Sequence, residues 1–536
     1  MIGEQQVDDV LVGHGGAPVR SGRKAPVVGR AWQAALPSRI GSTAIGTATT
    51  PPLGVVAAGH TETVAAAAHV LEAGGNAFDA AVAAGLAAAV VEPCLSSLGG
   101  GGFLLAHTAA GEEVLFDFFV DTPGRGVDDE VEPRLDAVTL RFGAADQVFH
   151  VGHGSVAVPG CLAGYLHVHH RLGRLPLARV VEPARRMAAD GVVLGPGQTA
   201  VVHLLEPILT RSPEGARRFR PDGRRLAGDE AVRNQKLADF LDAVAAGTTA
   251  GFADAPIAAA IAADMAANGG LLSAEDLRAY EVVEREPLSV AYRDAVLVTN
   301  PLPSLGGTLI GRGLQLLDTR EPAAFGSGRR LRDLAEVFDD VWRHHTSPTA
   351  VKGTTHVSVC DAEGNLASMT TSNGSCSGVI LGDTGVMANN ITGESDLNPH
   401  LRVGAQPPRL RHPAGRRVGS MMAPSLLYRP DAPPLALGSG GSERIRTAMT
   451  QVVVNLVDHG FDVEAAVRAP RIHWDGAVVQ VEPGFAEAAI AELATEREVN
   501  VWRVSDLYFG GTHVAGPDGA RAGDPRRGGA SVALLP

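Results

Sequence analysis

The residue pattern changes character near position 350, and this switch limits the possible folds more than any other feature of the chain. Upstream, Ala- and Leu-rich stretches carry helical spacing with few strands between them; downstream, short apolar runs alternate with turns. A chain of 536 residues with both signals predicts a mixed α/β architecture in which helices cover sheets. Thr61 is placed to cap a helix that Gly74 and Gly75 end, and a second helix is expected from Asn76 to about Val91. The run 96–119, SSLGGGGFLLAHTAAGEEVLFDFF, reads as a glycine turn followed by a hairpin turning at Ala109–Gly111; four consecutive glycines imply close backbone approach. Helices are expected at about 160–192, 232–246, 255–268 and 307–318, with strands near 288–299. After the switch, HVSVCD, LASMTTS, GVMA, SLLYR and LALGSGG read as strands before a helix from about Ser442 to His459. Residues 1–50, rich in Gly, Pro, Ser and Arg without period, read as a partly disordered arm.

Composition narrows the function. A net charge of -13 argues against nucleic acid or an anionic membrane as partner, despite Arg329, Arg330 and Arg332, because both require basic patches. Aromatic residues at 4% leave a core of Ala, Val and Leu. Cys94, Cys161, Cys360 and Cys376 have no CxxC spacing, so free buried thiols are expected. The longest apolar stretch, Ala80–Val91, is too short to span a bilayer, and the N-terminal residues show no secretory leader, so a cytoplasmic location is the expectation. His167, His169, His170, His344 and His345 lack ligand spacing, and no phosphate-binding glycine motif follows a strand; neither metal nor cofactor is expected.

The chemistry concentrates at 352–372, KGTTHVSVCDAEGNLASMTTS, where Gly-Thr-Thr-His opens a strand, DAEGN turns, and a second strand returns. A threonine hydroxyl is a poor nucleophile without a base. Cutting the bond before Thr354 would free an α-amino group, of pKa near 8, on the same residue to take the hydroxyl proton. Gly353 suits such a cut, since an N-to-O acyl shift needs a strained backbone conformation that a residue without Cβ reaches most easily.

Counting this run, eleven blocks follow one another in fixed order: AGGNAFDAAVA (73–83), EPCLSSLGGGGFLL (92–105), VPG with GYLHVHHRLGRLP (158–176), GGLLSAEDLRAYEVVEREPLSVAYRD (269–294), NPLPSLGG (300–307), TTHVSVCDAEGN (354–365), GVMANN (385–390), GSMMAPSLL (419–427), GSGGSERIR (438–446), APRIHWD (469–475) and GDPRRGGA (523–530). Together they resemble the γ-glutamyltransferase family over about residues 54–536. The resemblance implies a four-layer αββα N-terminal-nucleophile (Ntn) hydrolase fold, one precursor, and self-cleavage at Gly353–Thr354 into a large segment (51–353) and a small one (354–536). It implies Thr354 as nucleophile and Ser372 as the hydroxyl that orients it. The oxyanion hole falls on Gly440 and Gly441, or on Gly441 and Ser442 in the ungapped register.

The chain departs from the family at the substrate grip. Where transpeptidases carry aspartate, aromatic, arginine, it has Asp117, Phe118, Phe119; losing a cation from a desolvated carboxylate pair costs about 2–5 kcal/mol. The paired asparagines, Asn389 and Asn390, are followed by Ile391 rather than glutamine, Glu394 stands for an aspartate, and Gly419 and Ser420 replace the serine pair before a methionine, here Met421. The NGSCSG turn and the approach to the junction, 319–353, are abbreviated. Substrate contacts are expected at Phe119, Asn389, Glu394, Ser420 and Met421. Alternatively, Phe119 is core packing, and Arg409, Arg411 or Arg444 serves the carboxylate.

The expected activity is that of a cofactor-free amide hydrolase or acyltransferase working through an acyl-enzyme on a small non-glutamyl amide. The expected partner is the chain's own cleaved segment, as an αβ heterodimer that can pair into a heterotetramer. The alternatives are a true γ-glutamyl hydrolase or transpeptidase, and an uncleaved, catalytically silent binding protein.

Overall fold

The computed structural model describes residues 52–142, 145–344, 353–394 and 412–535; the expected N-terminal arm lies outside them. Two antiparallel sheets form the centre. The first runs, edge to edge, Ala530–Leu534, Gly54–Ala58, Thr354–Asp361, Leu366–Ser372, Gly101–His107, Glu113–Phe118 and Val283–Arg285. The second runs Arg521–Ala522, Gly511–Ala515, Ala432–Gly440, Ser425–Arg429, Ala295–Thr299 and Leu288–Tyr292.

Alternation along each strand sorts side chains into layers. On one face of the first sheet, Leu104, Phe116, Val357, Val359 and Met369 meet the helices Thr61–Glu72 and Ala77–Val91. On the other, Phe103, Leu105, Leu115 and Phe119 meet Leu297, Leu427, Leu435 and Leu437 of the second sheet. The helices Leu305–Asp318, Gly328–Arg343 and Arg444–Val457 share that cluster and cover the second sheet's far side. The result is the expected αββα sandwich. Helix Ala77–Val91 is buried at every position but Ala89, which its small side chains permit; it starts with a capping box between Asn76 and Asp79. Among the described residues no helix is long and apolar enough to cross a membrane. All four cysteines are free and buried.

Local expectations need correction at several points. The first helix is capped by His60, whose Nδ1 accepts from the Glu62 N–H at 3.1 Å, rather than by Thr61. The stretch 160–192 is two helices, Cys161–Leu172 and Leu177–Asp190, divided where Gly173 and Pro176 stop the first and start the second. GVMA forms only isolated bridges, Met387 to Ile380 and Ala388 to Gly99. A hairpin, Asp136–Phe142 with Ala145–Val151, and the helix Gly328–Arg343 stand where no element is expected.

Candidate active site

The Gly353–Thr354 junction sits where the first sheet meets the glycine loops. The DAEGN turn sets the hairpin register so that Thr354 faces Ser372 across the ladder, and Ser372 faces Gly101 on the next strand. The glycine run is explained by this neighbourhood: a Cβ on Gly100 would overlap the Ser372 carbonyl oxygen, and one on Gly102 would come within 2.6 Å of the Thr370 oxygen. Thr354, His356, Ser358 and Cys360 face the second sheet, whereas the next residue, Thr355, donates to Glu92 Oε2 at 2.7 Å on the helix side. Burial raises the pKa of Glu92, opposed by this bond; the carboxyl fixes the start of strand Thr354–Asp361 from below. On the inner face, His356 Nδ1 lies 2.8 Å from Thr370 Oγ1, and its Nε2 lies 2.9 Å from Ser358 Oγ. Burial and the nearby His513 hold His356 well below the ordinary imidazole pKa, so it is a neutral core residue at physiological pH.

Gly353 adopts φ +55, and a Cβ there would overlap the Gly374 carbonyl oxygen. Its own carbonyl accepts a hydrogen bond from Ser372 Oγ at 2.8 Å. Ser372 Oγ in turn accepts from the Gly374 N–H at 3.1 Å, which directs the hydroxyl proton to the Gly353 oxygen. Gly353→Ala is therefore expected to misplace the junction and to slow the self-cleavage anticipated there. The left-handed conformation alone costs an L-residue roughly 1–2 kcal/mol; quantifying intact chain against fragments over time checks it.

The second sheet closes over Thr354. Gly440, the last residue of its strand, lies against the Thr354 carbonyl so closely that a Cβ would overlap it. Gly441, φ +135, and Ser442, φ +62, turn the chain into helix Arg444–Val457, and Ser442 lines the adjoining cavity. Arg527 spans the same loop: its guanidinium lies 3.4 Å from the Thr354 oxygen, and Cβ atoms on Gly440 and Gly441 would lie 3.5 and 3.6 Å from its two terminal nitrogens.

A cavity of about 440 Å³ opens beside Gly353, Gly374 and Ser442. Its lining is partly apolar, with Leu95, Phe149, Val201, Leu204 and Leu205, the last three on helix Gly195–Leu209, and partly cationic, with Arg444, Arg526 and Arg527.

Of the expected site residues, the structure brings together Gly353, Thr354, Ser372, Gly440, Gly441 and Ser442. Glu394 is buried next to them, since a Cβ on Gly374 would sit 2.9 Å from its Oε1. The other expected substrate contacts do not line the cavity. Phe119 is 1% exposed and stacks on Phe103 at 5.6 Å in the inter-sheet core, the alternative placement considered for it. Asn389 is fully buried: Oδ1 accepts from the Ala157 and Ile391 N–H groups, and Nδ2 donates to the Gly99 and Ala157 carbonyls, so main chain saturates its amide. Ser420 accepts from the Met422 N–H, and its carbonyl, like the buried Met421 next to it, meets the start of helix Leu305–Asp318. Arg409 and Arg411 lie outside the described residues. Sequence reasoning assigns no role to Arg527 or Gly374, although the GDPRRGGA block and the NGSCSG turn contain them.

Comparison with known proteins agrees with this architecture. The family model for gamma-glutamyltranspeptidase matches residues 63–344 and 340–534. The chain is 31% identical over 516 residues to the acylase ACY 1 proenzyme of Pseudomonas sp. (strain V22), covering 88% of this chain and 91% of that one. It is 29% identical over 518 residues to the glutathione hydrolase proenzyme of Escherichia coli (strain K12), covering 85% and 87%. The crystal structure of cephalosporin acylase from Bacillus halodurans shares the fold, with a TM-score of 0.77 at 23% identity over 93% of this chain and 99% of that one. On sequence and fold together, the chain belongs to the γ-glutamyltranspeptidase family of N-terminal-nucleophile amidohydrolases and acyltransferases.

Proposed function

We propose that the chain cuts itself at Gly353–Thr354 and that the freed Thr354 is the nucleophile of an amidase acting on a small amide other than a standard γ-glutamyl compound. The observation that carries this reading is the Ser372 hydrogen bond to the Gly353 carbonyl, 2.8 Å long and oriented by Gly374. Thr354 Oγ adds to the Gly353 carbonyl carbon while Ser372 stabilises the developing oxyanion. The C–N bond then breaks as the hydroxyl proton passes to the nitrogen, which frees the Thr354 amine, and water hydrolyses the resulting ester to release the Thr354 hydroxyl and the Gly353 carboxylate. Thereafter that amine takes the hydroxyl proton, Thr354 Oγ attacks a substrate amide, and the proton passes to the leaving amine. The turn at Gly441 and Ser442, against the cavity, supports the register in which their N–H groups hold the oxyanion. Water or an amine resolves the acyl-enzyme. The cleaved segments, 1–353 and 354–536, stay together as an αβ heterodimer because strands of both alternate in the first sheet. The names of the two relatives, an acylase and a glutathione hydrolase, bracket the chemistry.

A non-glutamyl substrate is favoured because Phe119 puts an aromatic ring where transpeptidases carry an arginine, and main chain occupies Asn389. Turnover of γ-glutamyl-p-nitroanilide beside a panel of simple acyl anilides tests this. The acyl anilides are expected to give the higher kcat/KM by about tenfold or more, because among the described residues no aspartate or glutamate lines the cavity to pair with the ammonium group of the glutamyl compound, and an unpaired charge costs at least that much. Strong Thr354-dependent turnover of the glutamyl compound would overturn the substrate assignment.

A further inference from the structure

Resting on the amidase reading above, we propose that Arg444 and Arg527 form an anion subsite on the cavity wall that receives one carboxylate of the substrate. Arg444 Nε donates to the Tyr508 carbonyl at 3.1 Å, and its guanidinium lies 4.8 Å from the Tyr508 ring centroid, which fixes its direction without supplying a counter-charge. Arg527 is held more loosely. Its two terminal nitrogens make only 3.4 Å contacts, to the Thr354 and Leu507 carbonyls, and its buried Nε has no hydrogen-bond partner. Burial and then the neighbouring Arg444 pull the Arg527 pKa down to about 10, so both groups remain cationic at neutral pH while repelling each other. Arg526 differs: Glu482 accepts from its Nε at 2.7 Å and from a terminal nitrogen at 2.6 Å, and Asp524 from the other at 3.2 Å. Among the described residues no aspartate or glutamate lines the cavity. Asp524, Glu92 and Asp506 near Arg527, and Glu443 near Arg444, favour the charged forms, but among the described residues none makes a direct ion pair with either guanidinium. Two guanidinium groups without a direct carboxylate partner, in a cavity also lined by Leu95, Phe149, Val201, Leu204 and Leu205, select a ligand with an apolar segment and a single carboxylate, which the planar fork of arginine matches. Arg527 lies over the Gly440–Gly441 loop, so the carboxylate sits within a short chain of the reacting carbonyl.

The carboxylate can belong to the acyl half or the amine half, and matched substrates separate the two. The cleaved protein is assayed with mono-p-nitroanilides of succinic, glutaric and adipic acids beside the butyryl, pentanoyl and hexanoyl anilides, and with p-acetamidobenzoate beside acetanilide. The anionic member of at least one series is expected to have the higher kcat/KM, chiefly through KM. Arg527→Gln and Arg444→Gln should each shrink that anionic-to-neutral ratio by roughly 10- to 100-fold, the range for a charge-assisted hydrogen bond. Arg527 acting only to position the Thr354 carbonyl would lower kcat for both members alike and leave the ratio unchanged. A ratio near one in the parent protein, or an unchanged ratio in both variants, overturns the subsite while leaving the amidase reading intact. A fully cleaved chain that turns over no anilide at all would overturn the amidase reading and the subsite with it.

Discussion

Thr354→Ala should leave the purified protein as one band near 55.3 kDa on denaturing electrophoresis, where the parent chain gives two. The two are expected at about 36 and 19 kDa, in proportion to 353 and 183 of 536 residues. Alanine removes the only oxygen placed to attack the Gly353 carbonyl from the following residue, and without the cut no free α-amino group forms to act as base. Both the self-cleavage and the later amide chemistry are lost together, so amidase activity should fall by about 10⁴-fold or more, as when a nucleophile is deleted from a cooperating catalytic set. Thr354→Ser should restore both bands, because serine keeps the hydroxyl. A parent protein that stays at 55.3 kDa through prolonged incubation would refute self-cleavage and favour a silent binding protein.

Ser372→Ala should slow the appearance of the two fragments by about 100- to 1,000-fold, the usual cost of removing one oxyanion donor. The serine hydroxyl is the side-chain donor seen on the carbonyl that must become tetrahedral, and the Gly374 N–H keeps its proton pointed there. Ser372→Thr should retain most of the rate. The measurement is the first-order rate of fragment formation in freshly refolded or freshly translated chain. Cleavage at the parent rate in Ser372→Ala would remove Ser372 from the mechanism and leave only the backbone strain at Gly353.

Much of the junction was legible in the residues. Polar DAEGN between two β-favouring runs sets a tight turn, and the turn sets the register, which brings Thr354 opposite Ser372. The paired Ala-rich helices and the close glycine approach were equally readable, because small side chains at those positions have few other uses. Helix Gly328–Arg343 carries an ordinary helical signal, Leu331, Leu334, Ala335, Phe338 and Val341, that reading 319–353 as an abbreviated approach to the junction passes over. The hairpin at Asp136–Val151 gives a weaker signal, since its strands leave Val148 exposed and cover their inner face with a separate small cluster around Leu140 and Phe149.

Substrate contacts were the least legible part. Phe119, Asn389, Ser420 and Met421 occupy positions that match substrate-binding positions of the family, yet here each is buried against neighbours of its own chain. Arg444 and Arg527 stand 83 residues apart in sequence and meet only because strand Ala432–Gly440 pairs with Gly511–Ala515. The sequence by itself determined the chemistry proposed at Gly353–Thr354, because a hydroxyl and the amine that would serve as its base on one residue, with a serine one hairpin away, depend on local spacing alone. Only the tertiary structure decided which side chains border the cavity. Burial and the distribution of unpaired charge depend on contacts between segments far apart in the chain, and no local pattern encodes them.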